Sequence, residues 1–182
     1  VLGTPQPQTL PANDTNFGGN SYDGKSFIYN QNVKYSNLFK ADFDSKRETI
    51  EKNAVEITRG SKIVTNPNVS DDNKLIAFDS FGDKQEDIFV ADSDGGNIKQ
   101  LTNDIEKDRT PRFSPDGKRI AFFTDTTGKF EGWMMNKDGS EKRLVAKSPE
   151  NSFAQLPLWS SDGKRLLFNL SESFPVIYDP DK

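Results

Sequence analysis

The sequence predicts an all-β fold, a β-propeller of four-stranded antiparallel blades with four repeats in this chain, and three observations predict it. The run Ser114-Pro115-Asp116-Gly117-Lys118 recurs as Ser21-Tyr22-Asp23-Gly24-Lys25, Ser70-Asp71-Asp72-Asn73-Lys74 and Ser160-Ser161-Asp162-Gly163-Lys164, at spacings of 49, 44 and 46 residues. Behind each copy comes an apolar triplet: Phe27-Ile28-Tyr29, Ile76-Ala77-Phe78, Ile120-Ala121-Phe122 and Leu166-Leu167-Phe168. A β-prone run then ends in Asp or Asn 19 to 22 residues after each Ser, over residues 38–42, 88–92, 133–136 and 176–179. Four short strands in each period of about 45 residues, with few helix-period segments, is the pattern of a propeller blade.

Each element has a local reason. In the Ser-x-Asp-Gly-Lys turn the Ser and Asp oxygens can accept backbone N–H bonds while Gly takes the positive φ that tightens the hairpin. Asn73 stands where the other copies have Gly, and Asn tolerates that conformation. The third repeat places strands at residues 111–114, 119–123, 132–136 and 141–145, with a turn at Asp138-Gly139. The second places them at 68–70, 75–78, 87–92 and 98–102, around the turn Asp94-Gly95-Gly96. The first diverges: its turn is Asp44-Ser45, and residues 51–65 read as an insertion without an assigned structure. Pro67, Pro111 and Pro157 are expected at the start of the first strand of their repeats, where a missing donor does least harm.

The expected organisation is one domain over residues 1–182, with repeats at about 11–58, 59–103, 104–147 and 148–182. Gln8-Thr9-Leu10 matches the end of a fourth strand such as Gln100-Leu101-Thr102, whereas the last repeat stops where its fourth strand should start. Pairing 6–10 against 174–178 would close a four-bladed ring and remove exposed sheet edges. The alternative is part of a larger propeller whose other blades lie elsewhere.

Composition narrows the chemistry. The 182 residues carry 24 basic and 28 acidic side chains, a formal charge of -4, and the mean hydropathy is -0.77 with a pI near 5.0. Only 32% of residues are hydrophobic, but 14 Phe, 4 Tyr and 2 Trp supply bulky apolar surface for a core. An acidic chain without a Lys/Arg face is not expected to bind nucleic acid. No apolar run reaches the ~18 residues of a membrane helix, and the N-terminus lacks the basic-then-apolar layout of a leader, so a soluble chain without membrane insertion is expected. With no Cys and no His there is no disulfide, no thiolate nucleophile, no Ser-His-Asp triad and no His- or Cys-ligated metal. No Gly-x-Ser-x-Gly elbow or phosphate-cradling loop occurs. The carboxylate pairs Asp71/Asp72 and Glu86/Asp87, and the segment Asp92-Ser93-Asp94-Gly95, read as solvated turns rather than as an acid/base pair or a calcium loop. The expectation is therefore a non-enzyme with no cofactor and no metal.

The run from Pro111 to Phe122, and Ile88-Phe89-Val90-Ala91-Asp92 followed by Gly95-Gly96 and Gln100-Leu101-Thr102, resemble the repeats of the TolB-like (WD-type) β-propeller family. The resemblance covers nearly the whole chain and specifies the blade rather than a function. It departs from the family in repeat number, with four repeats where TolB-like propellers have six. It implies an extracytoplasmic setting, periplasmic or cell-surface, and a protein or peptide partner held at the central channel face. Similar repeats precede the catalytic domain of prolyl-oligopeptidase-like serine peptidases, so an accessory, gating propeller is one alternative and a carbohydrate- or calcium-binding surface domain another. An oligomer is expected if one chain does not close the ring.

Aligning the repeats converges Asn16, Asn66, Arg109 and Gln155 near the channel mouth, with Tyr35, Phe81 and Phe130 in loops between second and third strands. Arg and aromatic side chains are enriched at interface hot spots, which makes these the candidate partner-binding residues. Against this, Phe81 and Phe130 also read as folding back onto their blades as core. Trp133 and Trp159 read as packing between blades.

Overall fold

The computed structural model describes residues 15–20, 27–31, 35–41, 43–44, 46–47, 49–50, 54–82, 85–148, 154–170 and 175–182. Two units are distinguished, Val1–Tyr35 and Ser36–Lys182. In the first, β1 (Thr15–Asn20) pairs antiparallel with β2 (Phe27–Gln31), with an irregularity between Phe17 and Gly19. The turn expected at 21–25 and the closing strand expected at 6–10 lie outside the described residues.

The second unit is built from antiparallel sheets, and no helix occurs among the described residues. It opens with a narrow ladder: β3 (Phe39–Lys40), β4 (Phe43–Asp44), β5 (Thr49–Ile50) and β6 (Val55–Glu56), in which β3 pairs with β6 and β4 with β5. A blade follows, β7 (Ile63–Val69), β8 (Leu75–Phe81), β9 (Glu86–Asp92) and β10 (Lys99–Gln100), hydrogen-bonded in sequence order. The next is β11 (Arg109–Phe113), β12 (Arg119–Thr124), β13 (Glu131–Asn136) and β14 (Arg143–Ala146). The last sheet has three strands, β15 (Ala154–Trp159), β16 (Leu166–Leu170) and β17 (Val176–Tyr178).

The 51–65 insertion, unassigned from sequence, supplies in its described part β6, the far side of the ladder, and then the start of β7. One expectation needs correction. The prolines are not at strand starts. Pro67, Pro111 and Pro157 sit inside β7, β11 and β15, at register shifts between Thr65 and Asn68, Arg109 and Arg112, and Gln155 and Leu158. A bulge leaves one residue out of the ladder, so a residue without an N–H costs no hydrogen bond there. The residue before each proline is left-handed: Asn66 at φ 51°, Thr110 at 54° and Leu156 at 48°.

The repeated turn folds as its residues dictate in all three described copies. The Ser114 hydroxyl donates to Asp116 Oδ1 at 2.6 Å, Arg119 N–H donates to Ser114 Oγ at 3.0 Å, and Lys118 N–H to Asp116 Oδ1 at 3.1 Å. Ser70/Asp72 and Ser160/Asp162 repeat the pattern. Asn73, Gly117 and Gly163 take the positive φ, at 59°, 66° and 69°. The Ser hydroxyl and the backbone amide together hold Asp72, Asp116 and Asp162 below the ordinary carboxylate range.

The core lies between blades. Ala77, Ile88 and Val90 of one blade meet Phe113, Ile120, Phe122 and Met135 of the next, with Trp133 against them. Ala121 and Ala146 then meet Ala154, Leu166 and Phe168, with Trp159 alongside and its Nε1 donating to Arg112 O at 3.1 Å. Each fully buried Phe or Ile contributes roughly 1.5–3 kcal/mol of burial.

Candidate functional site

One face of the second unit gathers the connections that leave β8 and β10 and those that leave β12 and β14. Arg109 opens β11 and reaches across to Glu86, which opens β9 of the preceding blade. Its Nη2 donates to Glu86 Oε1 at 2.7 Å and its Nε to Oε2, a two-pronged, charge-assisted pairing. That pairing raises the Arg109 pKa above its ordinary value. The guanidinium lies 5.0 Å from the Phe130 ring centroid, and Phe130 stands edge-on to Phe123 at 5.3 Å. The result is a half-buried stack of acid, cation and two aromatics joining two blades.

Beneath it, Asp79 is fully buried. It accepts from Thr65 Oγ1 at 3.0 Å, from Asn66 Nδ2 at 3.1 and 3.0 Å, and from the Thr110 N–H at 3.4 Å. One carboxylate therefore anchors the bulges of β7 and β11, both at left-handed residues. Such conformations persist only where surroundings over-determine them.

A second arrangement repeats at the joints between blades, where the backbone is nearly the same and the filling is not. Leu38 N–H donates to Thr58 Oγ1 at 2.9 Å, and Ile88 N–H to Thr102 Oγ1 at 3.0 Å. Leu38 O accepts from Ile57 N–H at 2.8 Å, as Ile88 O does from Leu101 N–H at 2.8 Å. Val64 N–H meets Ser36 O as Asp108 N–H meets Glu86 O. This correspondence places Val64, Phe78, Phe89 and Ile98 at one joint opposite Asp108, Phe122, Trp133 and Lys142 at the next.

At the later joint Lys142 Nζ lies 2.8 Å from Asp104 and 3.5 Å from Asp108, and 5.8 Å from both the Phe122 and the Trp133 ring centroids. Asp108 is fully buried, and burial pushes its pKa up against the opposing bond from Thr124 and charge of Lys142. Burial and the charges of Asp108 and Asp104 raise Asp87 likewise. Burial also acts on Asp104, but the Lys142 hydrogen bond and charge outweigh it and leave that group below its ordinary value. At the earlier joint the described residues supply no such plug, and a cavity of about 120 Å³ remains. Phe78 and Phe89, stacked at 5.7 Å, form its floor with Val64 and Ile98, and Lys62 Nζ stands 5.4 Å from the Phe89 centroid.

Of the candidate residues, Arg109 and Phe130 are brought into contact. Asn66 is turned to Asp79, and Gln155 is half-buried in β15 opposite Asn169. Phe81 is not in a loop: it ends β8, paired with Ile63 and Glu86, and is half-buried. Tyr35 is 62% exposed and belongs to the first unit, as does Asn16, whose backbone pairs with Asn30 in β1 and β2. Asp79 and Lys142 carry the two networks and were not among the candidates. An Asp directly after the apolar run Ile76-Ala77-Phe78 was the one available signal for Asp79, and Lys142 carried none. Among the described residues no group of three or more acidic side chains could hold a metal ion, and no helix is long and apolar enough to cross a membrane.

Antiparallel four-stranded sheets in series, joined by interblade cores and carrying a cross-blade stack on their connection face, define a β-propeller. The family model described as the TolB β-propeller domain matches residues 22–179, and the chain belongs to that family. TolB from Acinetobacter baumannii superposes with a TM-score of 0.59 at 20% identity, over 90% of this chain and 46% of that one. The chain is 33% identical to dipeptidyl-peptidase 5 of Porphyromonas endodontalis over 88 residues, 48% of this chain and 12% of the peptidase. It is 45% identical to the Tol-Pal system protein TolB of a Wolbachia endosymbiont of Culex pipiens over 60 residues, 32% of this chain and 14% of that protein. The matched stretches are thus a small part of both curated relatives.

Proposed function

We infer that this propeller is a non-catalytic binding scaffold, taking a protein or peptide on the face of the second unit that carries Arg109 and Phe130. The observation that carries it is the Arg109–Phe130 stack, 5.0 Å apart and half-buried on one blade, a pairing of the residue types that anchor interfaces. Arg109 is already held by Glu86, so a partner carboxylate would exchange with Glu86 rather than meet a free cation. Membership of the TolB propeller family supports a protein partner and an extracytoplasmic setting, periplasmic or cell-surface. Oligomerisation is part of this reading if other blades are needed to close the ring.

Panning a displayed peptide library against the chain tests it. Binders should lose about tenfold or more in affinity to Arg109→Ala and to Phe130→Ala and keep it against Lys164→Ala. Unchanged affinity for both face variants would remove the assignment.

The 33% identity to dipeptidyl-peptidase 5 favours a second reading, an accessory propeller gating a serine peptidase domain. A longer reading frame carrying Gly-x-Ser-x-Gly and a His after these repeats would support it, and peptide hydrolysis by that longer product, but not by this chain, would establish it.

A further inference from the structure

We propose that the cavity between the β3–β6 ladder and the β7–β10 blade is a binding site for a small apolar carboxylate, a phenyl or branched aliphatic group ending in –COO⁻. The repeat itself makes the argument. At the equivalent place one blade later, a four-carbon chain with a charged end, Lys142, enters between Phe122 and Trp133 and finds Asp108. Here Ile98 replaces Lys142 and Val64 replaces Asp108, so the joint has lost both the filling chain and the acid, and about 120 Å³ stands open.

The lining specifies the ligand. Phe78, Phe89, Val64 and Ile98 give an apolar floor. An apolar cavity of roughly 150 Å³ accommodates benzene, so this volume fits one ring or a leucine-sized group. At the rim, Lys62 has the Phe89 ring as its neighbour and no carboxylate at salt-bridge distance among the described residues, its charge reaching Asp87 only from farther off, whereas Arg59 is occupied by Glu56 at 2.7 Å. Asn37, Thr58 and Ser80 add polar groups around the mouth. An apolar body in the floor would therefore place a carboxylate against Lys62, supplying from the ligand the charge pair that Asp108 and Lys142 make within the chain. The same chemistry occurs in free aryl acids and in the C-terminal Phe or Leu of a peptide.

Titration calorimetry and ligand-observed NMR with 3-phenylpropionate provide the test, with 3-phenylpropionamide as its uncharged match. The acid should bind with a dissociation constant on the order of 1 mM, and the amide about tenfold more weakly. Lys62→Gln should abolish the difference between acid and amide, Ile98→Trp should weaken both by closing the mouth, and Lys164→Gln should change neither. N-acetyl-Ala-Phe with a free carboxylate binding more tightly than 3-phenylpropionate would point to peptide C-termini, and the reverse order to free acids. Equal binding of acid and amide to the wild-type chain, insensitivity to Lys62→Gln, or no binding at 10 mM-scale ligand would overturn the proposal. Because Lys62 and Ile98 are not part of the Arg109–Phe130 stack, this outcome is independent of the scaffold reading.

Discussion

The joint before β7–β10 and the joint after it share a backbone and differ in what fills them. Their strand-opening bonds agree to within about 0.1 Å at Leu38/Thr58 and Ile88/Thr102, yet one holds an open apolar space and the other a lysine between two carboxylates. Those bonds lie within a sheet; across the joint itself Val64 N–H meets Ser36 O at 3.3 Å and also the Ser36 hydroxyl at 2.9 Å, where Asp108 N–H meets Glu86 O at 2.7 Å. A common pattern of bonds thus frames both joints, and the side chains within it make one a plug and the other a pocket.

The largest expected effect comes from breaking the plug. Lys142→Ala would leave the fully buried Asp108 without its cation, a change that costs about 3 kcal/mol where a buried pair loses one partner. Urea unfolding of the two proteins measures it. The comparison becomes sharper with Asp108→Val/Lys142→Ile, which copies Val64 and Ile98 into the later joint. If backbone and hydroxyl bonds hold the blades, the double substitution should cost less than Lys142→Ala alone, since apolar replacement of a buried pair is often neutral. A larger cost than the single change would show that the ion pair itself sets the geometry.

The third joint is sealed by a different device. Phe168 packs onto Gly132 so closely that an added Cβ would lie 2.5 Å from its ring. Gly132→Ala should destabilise by roughly 1–3 kcal/mol through overpacking, and the loss should appear as a lower urea midpoint with an unchanged slope. Milder still is a change at the bulges. Leu156 is left-handed at φ 48° and 48% exposed, where the equivalent residue in β7 is Asn66. Leu156→Asn should raise stability by about 1 kcal/mol by relieving backbone strain, read as an upward shift in Tm.

Much of this was legible in the residues. The period, the Ser-x-Asp-Gly-Lys turns and the order of four strands follow from short-range chemistry repeated at fixed spacing, which a sequence displays directly. The bulges were not legible. Pro67, Pro111 and Pro157 look like strand boundaries because a missing N–H normally ends a ladder, and only pairing with β8, β12 and β16 reveals the shift that tolerates them. The ladder of β3 to β6 was missed for a similar reason: its two-residue steps are too short to show alternation. Repeat alignment singles out Arg109 and Phe130 by putting them on one face. Phe130 against Phe123 is a contact inside one blade, whereas the clasp of Arg109 by Glu86 crosses from the preceding blade, which no single repeat encodes. Lys142 and Ile98 look like ordinary surface variation until the joint around them is seen.

The smallest expected effect separates the joint from the turns by the sign of its pH dependence. Asp116 sits below its ordinary value of 3.8 because the folded turn hydrogen-bonds its charged form, through the Ser114 hydroxyl first and the Lys118 amide after it. Its contribution is therefore fully present above pH 3.8 and is lost as the pH falls through the depressed value. Asp108 is shifted the other way by burial, so its folded form binds a proton more readily and its contribution falls as the pH rises past 3.8. Asp116→Asn should cost less than about 1 kcal/mol near neutrality, because the group is largely solvated, and its stability difference from wild type should shrink between pH 6 and pH 3 (a span of about three units). Asp108→Asn, which keeps Lys142 and its hold on Asp104, should instead gain on wild type as the pH rises over that span. Parallel stability curves for the two variants would mean that joint and turn carboxylates are solvated alike, and the distinction between a buried plug and an exposed turn would fail.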